Sequence, residues 1–93
     1  MQNNSAMNLK SAREEIKKID LEIISLIKKR EECAHLIHNA KKADNISVVD
    51  KNQRETVLKR AEEKAITEGL NPIYVKQIFS VLIEMNEEKQ KSL

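Results

Sequence analysis

The chain has 93 residues, which suffices for one domain but not for two. Its 17 Lys+Arg nearly balance its 15 Asp+Glu, and it contains one Tyr, one Phe and no Trp. Because nucleic-acid-binding proteins usually have a basic excess and stacking aromatic residues, we expect no nucleic-acid partner. Gly69 and Pro72 are the single glycine and the single proline. So few turn-forming residues predict an all-α fold.

We expect neither a membrane anchor nor a disulfide. No stretch of about 18 or more apolar residues occurs, and residues 1–7 lack the apolar core of a secretory signal. Cys33 is the single cysteine, so no intramolecular disulfide can form, which suits a reducing cytoplasm. We therefore expect a cytoplasmic protein with a disordered tail over residues 1–7 and one helical domain over residues 8–93.

The first predicted helix runs from about Asn8 to about Lys42. Apolar residues recur along it at the a and d positions of about five heptads, and Arg30 interrupts the series. The series comprises Leu9, Ala12, Ile16, Ile19, Ile23, Leu26, Cys33, Ile37 and Ala40. A helix of this length measures roughly 50 Å, and the rest of the chain is too short to cover its apolar face. We therefore expect a second copy to cover it, in an intertwined homodimer.

Two further helices follow, separated by a short turn. The second is predicted to begin after the capping residue Asp50 and to end near Glu68, with Gly69 as its C′ residue. The third is predicted to run from Pro72, after a capping asparagine, to about Lys91. The predicted core residues are Val57, Leu58, Ala61, Ala65 and Ile66 in the second helix and Val75, Ile78, Phe79, Leu82 and Ile83 in the third.

Polar side chains interrupt the apolar faces of all three helices. These residues are Arg30, Lys41, Arg54, Asn86 and Gln90. Because an unpaired buried cation is strongly destabilising, the cations require either acidic partners, for which Glu55 and Asp50 are candidates, or an anionic ligand. The inward cations outnumber these acids, and two amides accompany them. The pattern therefore favours a cavity for a small ligand with several carboxylates.

Other interpretations of these residues remain open. Arg30 alone is also explained as a polar residue that sets the register of a coiled coil, so a non-catalytic helical dimer is an alternative. His35 and His38 have the i, i+3 spacing of two metal ligands but lack a third ligand nearby in the sequence, so we expect no metal. The charged run EEKQK, residues 87–91, is interpreted as a solvated face, and Cys33 as a small core residue.

Three stretches of the sequence resemble the all-helical chorismate mutases. They are AREEIKKIDLEIISLIKKREECAHLIHNAKK, VVDKNQRETVLKR and NPIYVKQIFSVLIEMNEEKQ. The resemblance implies a three-helix protomer with a long first helix, intertwined as a dimer with two shared active sites. It also implies an isomerase of phenylalanine and tyrosine biosynthesis that rearranges chorismate into prephenate without a cofactor or a metal. An isochorismate pyruvate-lyase on the same fold is the alternative enzyme, but the R-E pair that opens the second helix favours the mutase.

The resemblance also assigns roles to individual residues. Arg30 matches an arginine that clamps a substrate carboxylate, and Arg54 matches a second arginine of the pocket. Lys41 matches a lysine that contacts a carboxylate and the ether oxygen of the substrate, and Gln90 matches the second donor to that oxygen. Glu55 matches the acid that binds the substrate hydroxyl.

Further matches concern the other subunit and the start of the second helix. Arg13 matches an arginine contributed by the partner, and it lies roughly 25 Å from Arg30 along one helix. An antiparallel partner helix can bring the two together on one small ligand, whereas a single chain cannot. Asn86 stands where a serine is common. The family's D-x-x-R-E is here D-K-N-Q-R-E, in which Asp50 and Arg54 are one residue further apart. Either the loop absorbs the extra residue and Asp50 binds substrate, or Lys51 takes the aspartate's position.

Overall fold

A computed structural model describes residues 5–44 and 51–91, and the regular structure within these ranges is entirely helical. The helices are α1 (Ser5–Ala43), α2 (Lys51–Thr67) and α3 (Pro72–Lys91). The predicted all-α class with a long first helix is therefore confirmed. The helix ends lie close to those expected, except that α1 begins before Asn8. The predicted cap Asp50 lies outside the described residues.

Gly69 ends α2 with a left-handed backbone conformation. Its φ is 72°, a value that glycine adopts without the steric strain that a Cβ atom causes. The Gly69 N–H donates to the carbonyl of Ile66 at 3.1 Å, and the Leu70 N–H donates to the carbonyl of Ala65 at 2.8 Å. These two hydrogen bonds form a Schellman motif, which satisfies carbonyl groups that the end of a helix leaves unpaired.

Asn71 begins α3 by capping its first turn. The Asn71 side-chain Oδ1 accepts a hydrogen bond from the backbone N–H of Ile73 at 2.9 Å. The Asn71 carbonyl accepts another from the N–H of Val75 at 3.2 Å, and this is the first i to i+4 hydrogen bond of the helix. Pro72 occupies the first helical position, where the missing N–H has no consequence. The predicted cap of this helix is confirmed.

α2 and α3 pack against each other as an antiparallel hairpin. Val57, Ala61 and Ala65 follow one another at four-residue intervals in α2 and are buried. Ile83 of α3 is also buried. The two alanines allow the helices to approach closely, so a narrow apolar strip holds the hairpin together.

Some residues assigned to the core by periodicity are exposed in the structure. Ile66 is 62% exposed and Ile78 is 57% exposed. A contact between two helices covers only a strip on each, so apolar residues beside that strip stay exposed unless a further element packs there. Cys33 is also exposed, because the heptad pattern identifies an apolar face but not the element that covers it. Within the described chain, Ile66 and Ile78 are therefore not the core residues that were predicted. Cys33 belongs to the heptad face that a second copy is expected to cover, and its exposure in one chain matches that of the other heptad residues.

The described residues fall into two compact units, the first ending at Glu32 and the second beginning at Cys33. Within the first unit, the large heptad residues of α1 are between 48% and 59% exposed. They are Leu9, Ile16, Ile19, Ile23 and Leu26. The described part of α1 thus presents a long apolar stripe. Across residues 5–44 and 51–91, none of the helices combines the length and the apolar character that crossing a bilayer requires.

Replacement of Gly69 tests the contribution of the turn between α2 and α3. A Cβ at this position would meet no atom within 4 Å, so the effect of Gly69→Ala comes from the backbone conformation alone. We expect Gly69→Ala to lower the free energy of unfolding by about 1 kcal/mol, as measured by urea denaturation at fixed protein concentration. Gly69→Asn is the control and should lose less, because asparagine tolerates the left-handed region. Equal losses in both variants would contradict this explanation.

Candidate active site

Arg54 and Glu87 form an ion pair between the start of α2 and the end of α3. The Arg54 Nη2 donates a hydrogen bond to Glu87 Oε1 at 2.5 Å. The two side chains are 31% and 20% exposed, respectively, so the pair is partly withdrawn from water. The acid that Arg54 meets is Glu87, whereas the candidates expected from the sequence were Glu55 and Asp50. Glu55 is exposed.

Asn86 is the buried polar residue of α3. It is 7% exposed and lies one turn beyond the buried Ile83. The residue takes part in an interaction, and a buried amide without hydrogen bonds would be destabilising. The predicted inward position of Asn86 therefore agrees with its burial.

Gln90 lies one helical turn beyond Asn86 and contacts α1. Its Nε2 donates a hydrogen bond to the backbone carbonyl of Ala34 at 2.9 Å. A primary amide carries two N–H donors, so this bond uses one and leaves the second for another acceptor. The contact also fixes the orientation of the amide, because only its nitrogen can donate to a carbonyl.

Lys41 occupies the face of α1 that Gln90 contacts. It follows Ala34 by two turns of helix, and a seven-residue separation returns to nearly the same side. Its exposure is intermediate, in contrast to the exposed neighbours Ala40 and Lys42. The second unit thus contains a half-buried lysine on the side of α1 where the Gln90 amide is held.

The remaining predicted site residues have different environments. Arg30, in the first unit, is half-buried and engaged in an interaction. Arg13, also in the first unit, is exposed. Asp50 and the side chain of Lys51 lie outside the described residues, so the choice between them stays a prediction.

The two histidines of α1 stack on each other. The ring centroids of His35 and His38 are 6.5 Å apart, with an angle of 20° between the ring planes. In the part of the chain that the structure describes, no three His, Cys, Asp or Glu residues are grouped in a way that could hold a metal ion.

The α2–α3 hairpin also bears a groove that is separate from the polar residues Arg54, Asn86, Glu87 and Gln90. Its volume is about 480 Å³ and its lining is mainly apolar. The apolar lining residues are Val57, Ala61, Ala65, Leu70, Val75 and Phe79. None of the predicted site residues lines it, and the charged residues at its border are Arg60, Lys64 and Glu68. It is a surface suited to an apolar helix face.

Sequence reasoning missed Glu87. The residue belongs to the run EEKQK, which was interpreted as solvated because of its charge. A positional signal was present, since Glu87 follows Ile83 by four residues and precedes Gln90 by three, and both spacings place it on the inward face.

The chain matches one protein family over most of its length. The model of the family Chorismate mutase type II matches residues 12–91, a span that contains every predicted site residue from Arg13 to Gln90. No curated protein matches the chain. The predicted resemblance to the all-helical chorismate mutases is thereby confirmed, and the chain belongs to the chorismate mutase type II family of isomerases.

Proposed function

We propose that the polar residues on the inward helix faces form the active site in which this isomerase converts chorismate into prephenate. The observation that carries the proposal is the Gln90–Ala34 hydrogen bond, which holds an amide donor on the face of α1 that bears Lys41. The proposed catalytic residues are Arg30, Lys41 and Gln90. The proposed substrate-binding residues are Arg13, Arg30, Lys41, Asp50, Arg54, Glu55, Asn86 and Gln90.

The first part of the proposed mechanism is conformational. Chorismate carries two carboxylates and rearranges in a single pericyclic step from a compact, chair-like conformer. Guanidinium groups hold carboxylates with two parallel hydrogen bonds, which fixes direction as well as position. Arg30 and Arg54 are the proposed clamps. Restricting a flexible substrate to its reactive geometry removes much of the entropic barrier before the bonds change.

The second part is electrostatic. As the C–O bond of the ether breaks, negative charge develops on the ether oxygen. Lys41 and Gln90 are the proposed donors to that oxygen, and donors placed in advance stabilise the transition state more than the ground state. The bond to Ala34 supports this role, because it holds the Gln90 amide in place before substrate binds. Glu55 is the proposed partner of the substrate hydroxyl.

We propose further that the enzyme is a homodimer with Arg13 in the partner's active site. Two apolar surfaces support the dimer, namely the exposed heptad stripe of α1 and the groove on the α2–α3 hairpin. Arg13 is exposed and lies 17 residues from Arg30 on the same helix. That separation is too great for both to hold one small ligand from a single chain, so Arg13 acts on the other site.

The proposed biological role is phenylalanine and tyrosine biosynthesis in the cytoplasm. Prephenate is a precursor of both amino acids, and chorismate is the branch-point product of the shikimate pathway. The single cysteine, Cys33, is exposed, and an exposed free thiol is compatible with a reducing compartment. We propose no metal or cofactor, because a pericyclic rearrangement of one substrate does not require either.

Substitution of Gln90 tests both the reaction and the donor role. Purified wild-type protein should consume chorismate and produce prephenate, with no pyruvate released from isochorismate. Gln90→Ala should lower kcat by about 100-fold, because one preorganised donor to the developing charge is removed. The matched control is Gln77→Ala, an exposed glutamine of the same helix, which should leave kcat unchanged. Kinetics of Gln90→Ala equal to those of wild type would refute the donor role.

The pH dependence offers a second test of the same donor. The Gln90 amide donates without ionising, so wild-type kcat should stay level between about pH 6 and pH 8. In Gln90→Glu the introduced carboxyl donates only when protonated, from a reference pKa of about 4.3 that burial raises. We therefore expect the kcat of Gln90→Glu to fall as pH rises through that pKa. A wild-type rate that collapses above about pH 6 would contradict the assignment.

Mixed dimers test whether Arg13 acts across the subunit interface. Arg13→Ala and Arg30→Ala should each be nearly inactive alone. When the two variants are mixed under conditions that allow subunit exchange, half of each heterodimer's sites regain both arginines. Random pairing should then restore about one quarter of wild-type activity. Two Arg30→Ala preparations mixed in the same way are the control, and a mixture that recovers no activity would place Arg13 in its own chain's site.

A further inference from the structure

Glu87 is a carboxylate that lies beside proposed site residues of the opposite kind, namely the cation Arg54 and the amides Asn86 and Gln90. We infer that Glu87 is a positioning residue, which holds the Arg54 guanidinium against the end of α3 so that its remaining N–H groups face the substrate. This inference rests on the proposed active site. Glu87 has no role in the resemblance to the family, and the charged run that contains it gave no reason to expect one.

The first argument is the burial of the pair. The ion pairs Lys18–Glu15, Lys64–Glu68 and Lys76–Glu62 have side chains that are at least 41% exposed. Arg54 and Glu87 are 31% and 20% exposed, and they join two helices across 33 residues of sequence. Water screens such a pair less than it screens a pair on the surface. A contact of this kind restricts the side chain of Arg54 to one region.

The second argument is the number of donors on Arg54. A guanidinium group carries five N–H bonds in a fixed planar fork. The hydrogen bond to Glu87 Oε1 engages Nη2, so the rest of the fork is oriented but not consumed. A substrate carboxylate therefore meets an arginine that is already oriented for the reactive conformer, and less conformational freedom is lost on reaching the transition state.

The third argument is the position of Glu87 in α3. It directly follows the buried Asn86 and precedes Gln90 by three residues, so it shares a helix face with the amide held against Ala34. The same end of α3 thus carries the proposed ether-oxygen donor and the anchor of Arg54. Glu87 thus fixes the position of the Arg54 guanidinium relative to the Gln90 amide.

The negative charge of Glu87 has a further consequence. It repels a dianionic substrate while it orients Arg54, so its two effects on catalysis have opposite signs. Removal of the charge should free the Arg54 side chain to move, and kcat should fall as a result. Removal should also reduce the repulsion of the substrate, so KM should stay level or fall. A residue that serves folding alone would produce no such separation of kcat from KM.

The experiment compares Glu87→Gln, Glu87→Asp and the control Glu88→Gln. Glu87→Gln keeps the size of the side chain and removes its charge, whereas Glu87→Asp keeps the charge and shortens the side chain. We expect Glu87→Gln to lower kcat about tenfold without raising KM, and Glu87→Asp to retain more of kcat. Glu88 is the exposed neighbour, so Glu88→Gln should leave both constants within about twofold of wild type. If Glu87→Gln keeps the wild-type kcat, or retains more of it than Glu87→Asp, the inference is overturned.

A measurement without substrate separates this inference from the proposed function. In heteronuclear NMR spectra, an anchored guanidinium rotates slowly and shows resolved Nη signals. We expect resolved signals for Arg54 in wild type and in Glu88→Gln, and averaged signals in Glu87→Gln. Averaged signals in wild type would refute the anchor even in an active enzyme. Conversely, a wild-type protein that shows resolved signals but does not convert chorismate would refute the proposed function and leave the anchor standing.

Discussion

A guanidinium group on the inward face of a helix is stable only where an acceptor meets it, and this constraint links α2 to α3. Arg54 meets Glu87 at the end of the hairpin that lies away from the Gly69 turn. The two helices must lie close together for that contact to form. Ala61 and Ala65 permit the approach because they are small. The polar chemistry at one end of the hairpin therefore depends on an apolar strip and a glycine turn that contain no functional group.

The features that the sequence predicted well are those determined by neighbouring residues. Gly69 and Asn71 mark the end of α2 and the start of α3 because their hydrogen bonds are made within a few residues of the chain. The long apolar period of α1 is equally local, and it predicted the helix almost to its ends. The family was also predictable, because its motifs consist of residue types at fixed spacings along helices.

The features that the sequence missed depend on contacts between helices. Periodicity placed Arg54 on an inward face, but its partner is set by the register of α2 against α3, and a single sequence does not contain that register directly. Charge alone led Glu87 to be interpreted as solvated. The acceptor of the Gln90 amide is the backbone carbonyl of Ala34, and because every residue carries a carbonyl, no residue type could mark it. Ile66 was misassigned for a related reason, since periodicity does not say how much of an apolar face is covered.

The Arg54–Glu87 pair also changes the charge available in the proposed site. Without Glu87, Arg54 and Lys41 together would balance the two carboxylates of chorismate. With Glu87 beside Arg54 and Glu55 in the proposed site, the second unit no longer supplies the two positive charges that would balance a dianion. In the proposed enzyme that charge comes from the arginines of α1, Arg30 and the partner's Arg13. The exposed apolar heptads and these two arginines lie on the same helix. In the proposed dimer, the association that covers the stripe would therefore also supply the cation that the proposed site needs.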